Sequence, residues 1–242
     1  MKLIAAGMDV ARLNFSHGTH EMHAGFIANV RAAAHQANKH VLIIQDLSGP
    51  RVQTGATHHL DPQALEVITA KDLTDLDFGL ANGLDYICQS FVGSAADVQR
   101  LRREIQTRGG TAKVMAKVER KEALDNIEAI ISASDAIMLG RGDLGASIPL
   151  EQIPFVEASV IHACKEQNKP VIIATDMLKS MVDNPTPTRA EVTDIAYAIM
   201  VGADAVMLSE ESAIGKYPVE AVQYMERVSV EAEKYERKVN TL

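Results

Sequence analysis

Apolar and polar positions along this chain repeat as one unit. An amphipathic helix ends at Gly or Asn, a small polar residue follows, and then comes an unbroken apolar run. The unit occurs as "AAGMDVARLNFS", "QANKHVLIIQDLS", "ANGLDYICQSFV", "GGTAKVMAKVE", "SASDAIMLGRGD", "QNKPVIIATDM" and "VGADAVMLSEES". Continuous apolar runs suit parallel strands covered on both faces, and strands alternating with helices suit stacked βα units. The pattern predicts an α/β fold: a TIM (β/α)8-type barrel with seven of its eight strands recognisable, incomplete or closed by oligomerisation. The runner-up is a doubly wound sheet. No Gly-x-Gly-x-x-Gly follows the first strand, which leaves a dinucleotide fold little support. Helix starts are expected at Ser94 with Asp97 and at Thr188 with Glu191, both at capping-box spacing, and at Asp61-Pro62, a cap followed by a first-turn proline.

Polar residues gather at the C-terminal ends of the runs: Arg12, Asn14 and Ser16; Asp46; Ser90; Lys117 and Glu119; Asp143; Thr175; Ser209. Barrel active sites are built on that rim. In "KVE" the alternation of a strand sends Lys117 and Glu119 to one face, and Asp143 closes the next strand. Two carboxylates and a lysine at neighbouring strand ends suit a divalent cation and an oxyanion. Gly140 and Gly142 leave backbone amides uncovered beside them. The same residues also read as a surface ion pair flanked by a glycine turn. His20, His23, His58 and His59 lack partners at ligand spacing and read as solvated surface, and the methionines of "DMLKSM" read as core.

Composition narrows the function classes. The 242 residues are 47% hydrophobic with a net charge of −8 and a pI near 5.5, which disfavours a nucleic-acid partner. Cys88 and Cys164 both sit in apolar runs, which suggests reduced thiols and a cytoplasmic protein. No apolar run reaches membrane-span length, and "MKLIAAGMD" is too short for a signal peptide.

"MDVARLNFSHG", "AKVE", "RGDLG", "NPTPTRAEV" and "DAVMLSEESAIGKYPVEAV" together resemble the barrel-domain motifs of pyruvate kinase, in the family's order and over nearly the whole chain. The resemblance implies phosphoryl transfer from phosphoenolpyruvate to ADP, giving pyruvate and ATP with Mg²⁺ or Mn²⁺. It implies Glu119 and Asp143 as divalent-metal ligands, and Lys117 as the cation offsetting charge on the phosphoryl group and the enolate oxygen. It implies the amides of Gly142 and Asp143, at a helix opening, as the substrate carboxylate site. It implies Thr175 beside the enolate carbon with Ser209 in a proton relay, Arg12 in contact with phosphate, and His17 near the nucleotide. Asn14, Ser16, Asp46 and the Leu47 carbonyl match a monovalent-cation site.

The departures carry equal weight. Ser48 and Gln53 stand where the family has a lysine and an arginine, and a lost charge-assisted contact costs about 1.5–3 kcal/mol. Arg51 stands where potassium-dependent members carry Glu, which argues against a K⁺ requirement. Asp176 and Glu210 replace a Gln and a small residue. The chain reads as one barrel domain, 1–242. The family's lid domain is expected to be absent at the 56–69 link, and its first strand and C-terminal regulatory domain have no counterpart. Allosteric activation is therefore not expected. Unpaired edges at "VARLNF" and "AVMLS" predict a homo-oligomer or a distorted barrel. The alternatives are metal-dependent enolisation or decarboxylation of a 2-oxo acid on the same half-site, and a non-catalytic barrel remnant acting as a scaffold.

Overall fold

The computed structural model describes residues 1–54, 57–64 and 66–239. Its strands are β1 (Val10–Asn14), β2 (Leu42–Asp46), β3 (Arg51–Thr54), β4 (Thr57–Leu60), β5 (Tyr86–Gln89), β6 (Lys113–Val118), β7 (Ala136–Gly140), β8 (Val171–Ala174) and β9 (Ala205–Met207). Its helices are α1 (Lys2–Ala6), α2 (His20–Ala37), α3 (Ala70–Ala81), α4 (Ala95–Thr107), α5 (Lys121–Asp125), α6 (Ile127–Ala133), α7 (Arg141–Ser147), α8 (Ile153–Glu166), α9 (Arg189–Val201), α10 (Glu210–Ala213) and α11 (Pro218–Val239). Each of the seven apolar runs forms a strand of one parallel sheet, in the order β1-β2-β5-β6-β7-β8-β9. Spatial order follows chain order with no reversal, so the doubly wound alternative is excluded. The fold is α/β of the TIM type, an open barrel of seven strands.

The small polar residue before a run has a mechanical role. The Asp85 carboxylate accepts from the Ile43 amide at 2.7 Å, Asp135 from the Val114 amide at 2.7 Å, and Asp204 from the Val171 amide at 2.9 Å. Each aspartate precedes one strand and ties down the start of the strand before it. Three sheet junctions are stapled in this way at the N-terminal rim, the face that serves stability in barrels.

Alternation divides the core into two layers. Ile44, Cys88, Met115, Ala136, Met138, Ile172 and Ala174 pack inside the sheet. A larger cluster, including Ile87, Val114, Ile137, Leu139 and Ile173, packs beneath the helices. The central strands β7 and β8 are fully buried, whereas all of β9 and the inward-facing Val10, Arg12 and Asn14 of β1 are half-buried. Among the described residues β1 and β9 each have one strand neighbour, the edges anticipated from the sequence. Nearby, α1 packs on α11, and α11 on α9.

Two local expectations are corrected. Asp61 does not start a helix; its carboxylate accepts from the Gln63 amide at 2.9 Å in a turn. The next helix, α3, opens eight residues later in the chain on a Thr69–Asp72 capping box. The link also holds an antiparallel hairpin, β3–β4, that the sequence pattern did not reveal. The caps expected at Ser94–Asp97 and Thr188–Glu191 are both present. Met177 and Met181 are buried, as the core reading held.

Candidate active site

The inward register of the strands runs past the apolar interior and ends in charge. On β6 the inward series is Met115, Lys117, Glu119, with Lys117 and Glu119 buried to 7% and 1% exposure. Lys117 Nζ lies 3.0 Å from Glu119 Oε2 and 3.5 Å from Asp46 Oδ2. Asp46, at the end of β2, also pairs with Arg12 of β1, whose Nε donates to it at 2.8 Å. Four charged side chains from three strands therefore meet at the C-terminal rim. This is a buried network rather than a surface ion pair.

Electrostatics sort the network by role. Burial pushes the Asp46 carboxyl up, but the charges of Lys117 and Arg12 outweigh it and hold the group at about 2. Burial alone would lower Lys117, yet Asp46 and Glu119 raise it above the ordinary lysine value, so it stays an ammonium. Glu119 goes the other way. Burial and the neighbouring charges of Asp143 and Asp46 raise its pKa against the pull of Lys117.

Glu119 Oε1 accepts from the Phe91 amide at 2.9 Å, and Phe91 sits at φ 57° to present it. Oε2 faces the Lys117 ammonium at 3.0 Å. A Cβ on Gly140 would lie 3.1 Å from that oxygen, so the glycine keeps the space beside it open. A buried carboxylate with a second carboxylate, Asp143, close enough to raise its pKa suits a hard divalent cation. Among the described residues no cluster of three or more His, Cys, Asp or Glu forms a cage.

The remaining candidates surround this centre. Helix α7 opens at Arg141, so Gly142 and Asp143 lie in its first turn, where amides lack intrahelical partners. Thr175 follows β8 with φ 81°, and Asp176 follows it with φ 56°. A Cβ on Gly142 would come within 2.8 Å of Thr175 Cγ2, which brings the two strand ends into contact. Ser209 follows β9, and its amide donates to Glu211 Oε2 at 2.7 Å. The Asn14 carboxamide accepts from the Ser16 amide at 3.1 Å, Ser16 Oγ is buried without a partner, and the Leu47 carbonyl accepts from Ser90 Oγ at 2.7 Å.

The histidines differ in setting, and His23 departs from the surface expected of it. His17 is exposed, and its carbonyl accepts from His23 Nε2 at 2.9 Å. His23 is 5% exposed and stacked on Phe15, and burial lowers its pKa. His20 pairs with Asp75 at 2.8 Å. His23 is therefore not solvated surface, whereas the half-exposed His20 lies at the surface with its ring held by Asp75. The side chains of His58, His59 and Gln53 lie outside the described residues. Sequence reasoning also missed Arg141, whose partners are Glu157, Asp194 and the Thr175 carbonyl, and Glu211, which accepts from the Leu178 and Ser209 amides.

The family model for the pyruvate kinase barrel domain matches residues 1–67 and 61–222. The chain belongs to the pyruvate kinase barrel-domain family. It is 35% identical to pyruvate kinase 1 of Trypanosoma brucei brucei over 315 residues, covering 96% of this chain and 63% of that protein. It is 35% identical to a pyruvate kinase of Mycobacterium intracellulare over 94% of this chain and 65% of that protein. For the Geobacillus stearothermophilus pyruvate kinase the identity is 35%, over 96% of this chain and 54% of that protein. The chain thus spans less than two-thirds of the length of these pyruvate kinases. The first alignment covers 315 residues although this chain has 242, so that relative carries residues without a counterpart here. No helix among the described residues is long and apolar enough to cross a membrane.

Proposed function

We propose that the chain is a pyruvate kinase-like phosphotransferase that converts phosphoenolpyruvate and ADP to pyruvate and ATP. The observation that carries this reading is Lys117, a buried ammonium between Asp46 and Glu119, beside a carboxylate oxygen left open by Gly140. Glu119 and Asp143 are the residues to hold Mg²⁺ or Mn²⁺. Such an ion, when bound, would neutralise phosphoryl and enolate oxygens.

The chain's own groups have distinct tasks. Lys117 offsets charge on the transferring phosphoryl group and on the enolate oxygen, the electrostatic contribution that dominates such chemistry. The Gly142 and Asp143 amides hold the substrate carboxylate at the start of α7. Arg12 faces the phosphate side, with His17 toward the nucleotide. When the phosphoryl group leaves the enol oxygen for ADP, the enolate must gain a proton at its methylene carbon. Thr175 serves that carbon, with Ser209 in the relay. A neutral hydroxyl is a weak acid, so the proton comes through water.

Potassium is not required in this reading. Asp46, the carboxylate of the monovalent-cation set, already faces Arg12 and Lys117, and the charge of Arg51 also lowers its pKa. Residues 1–242 act as one barrel domain with the lid domain absent at the 56–69 link. The meeting of the two family-model stretches at 61–67 supports this, as does the greater length of the relative's alignment. Without a lid, water reaches the phosphoryl group, so turnover is slow and partly hydrolytic. The outer edges of β1 and β9, without a strand neighbour among the described residues, support a homo-oligomer, and two buried free thiols support a cytoplasmic setting.

A second reading, metal-dependent enolisation of a 2-oxo acid without a nucleotide, is favoured by one observation. Ser48 brings no cation to the nucleotide side, and the Arg51 guanidinium is drawn to the Ser48 carbonyl at 2.9 Å and over Phe91. Following ³¹P NMR of phosphoenolpyruvate with Mg²⁺ and ADP separates the readings. ATP formation supports phosphotransfer; phosphoenolpyruvate left intact or released only as inorganic phosphate contradicts it.

A further inference from the structure

We propose that Arg141 is a positioning residue for Thr175: its guanidinium clamps the Thr175 carbonyl and holds the left-handed turn that sets the Thr175 side chain at the site. The inference rests on the reading that Thr175 serves the enolate carbon.

Thr175 and Asp176 lie at φ 81° and 56°, consecutive left-handed residues without a glycine. A β-branched residue avoids that region, and such strain persists only where the surroundings over-determine it. The surroundings here are specific. Arg141 Nη2 donates to the Thr175 carbonyl at 2.8 Å and touches Met177 Sδ at 2.7 Å. Its Nη1 donates to Asp194 Oδ1 at 2.7 Å and to Glu157 Oε2 at 3.2 Å. The planar fork is thus anchored by two carboxylates from α9 and α8 while its other arm grips the turn. The Arg141 side chain is 10% exposed, Glu157 is buried, and Arg141 remains charged because its carboxylate partners outweigh the cost of burial.

The far side of the turn is held separately. Glu211, also buried, accepts from the Leu178 amide at 3.0 Å and from the Ser209 amide at 2.7 Å. Gly142, the residue after Arg141, forms the wall against which Thr175 Cγ2 rests. Arg141 therefore fixes the carbonyl end of the turn, Glu211 its amide end, and Gly142 the side-chain direction. Arg141 acts through Thr175.

Two variants test this. Arg141→Lys keeps a cation for Glu157 and Asp194, but a single ammonium cannot fork to the Thr175 carbonyl. The double variant Arg141→Met with Glu157→Gln removes the clamp without leaving the Glu157 charge buried alone. The first readout is the ¹³C-methyl resonance of Thr175, assigned with Thr175→Ser. The second is methyl-proton exchange of pyruvate set against Mn²⁺ affinity measured by electron paramagnetic resonance. The expected result is a displaced or broadened Thr175 methyl resonance, exchange slowed by about 10²-fold, and unchanged Mn²⁺ affinity. An unmoved resonance in either folded variant overturns the proposal, as does parallel loss of exchange and Mn²⁺ affinity. A wild-type protein that shows no exchange refutes the role given to Thr175, and the methyl resonance alone then decides the clamp.

Discussion

Lys117 Nζ stands 3.0 Å from Glu119 Oε2, two residues along the same strand, yet the two groups are shifted in ways that serve different ends. Lys117 is held as a cation by Asp46 as much as by Glu119, whereas Glu119 bears a burial cost that Lys117 only partly offsets. In the proposed mechanism Asp46 is the structural partner of the lysine, and Glu119 is the group that holds the metal.

Asp46 should therefore dominate the acid limit of stability. Its folded carboxyl is lowered from 3.8 to about 2. The stabilisation is present above the unfolded value and is lost as pH falls from about 4 through 2, an amount of about 2 kcal/mol. Urea midpoints measured across that range should fall steeply for the wild type and less steeply for Asp46→Asn. Parallel slopes would show that another group sets the limit. At neutral pH the variant should already be less stable, because Arg12 and Lys117 lose a buried partner, a change that costs about 3–5 kcal/mol.

Glu119→Gln should separate stability from metal binding. The raised pKa means that the fold disfavours the charged form, so above that pKa the wild type carries a cost that Lys117 only partly offsets. The variant should be as stable as the wild type, or more stable, at pH 7–8 by thermal unfolding, yet bind Mn²⁺ far more weakly. Wild-type Mn²⁺ affinity should fall with acidification at a pH above the ordinary carboxylate range, since proton and metal compete for Glu119. A destabilised variant with intact Mn²⁺ affinity would assign Glu119 a purely structural role.

Potassium should have no effect on wild-type pyruvate enolisation when it replaces tetramethylammonium at constant ionic strength. Arg51→Glu should make the reaction respond to K⁺, because it removes one of the cations acting on Asp46 and adds an anion. Potassium activation of the wild type would remove Arg51 from this account.

The strand count and the Lys117–Glu119 pair were legible because both rest on local periodicity. An apolar run after Asp85, Asp135 or Asp204 marks a strand whatever surrounds it, and alternation alone places two residues of Lys-Val-Glu on one face. The β3–β4 hairpin was not legible, because "RVQT" and "THHL" contain no apolar run. Asp61-Pro62 misled because a capping aspartate followed by proline opens a turn as readily as a helix. The burial of His23 and the Asp75 partner of His20 were not legible, because Phe15 after β1 and Asp75 of α3 are brought to them by tertiary packing. The clamp formed by Arg141, Glu157 and Asp194 on Thr175 spans four separate elements, and no spacing rule announces it.

The most direct test of the central claim is exchange of the pyruvate methyl protons in D₂O, followed by proton NMR with Mg²⁺, for the wild type and a folded Lys117→Ala variant. In the proposed mechanism the reaction requires the Lys117 centre and the Thr175 proton path but no lid. The account predicts Mg²⁺-dependent exchange in the wild type that disappears in the variant. Absence of exchange from folded, Mg²⁺-loaded wild-type protein, or equal exchange in the variant, would contradict it.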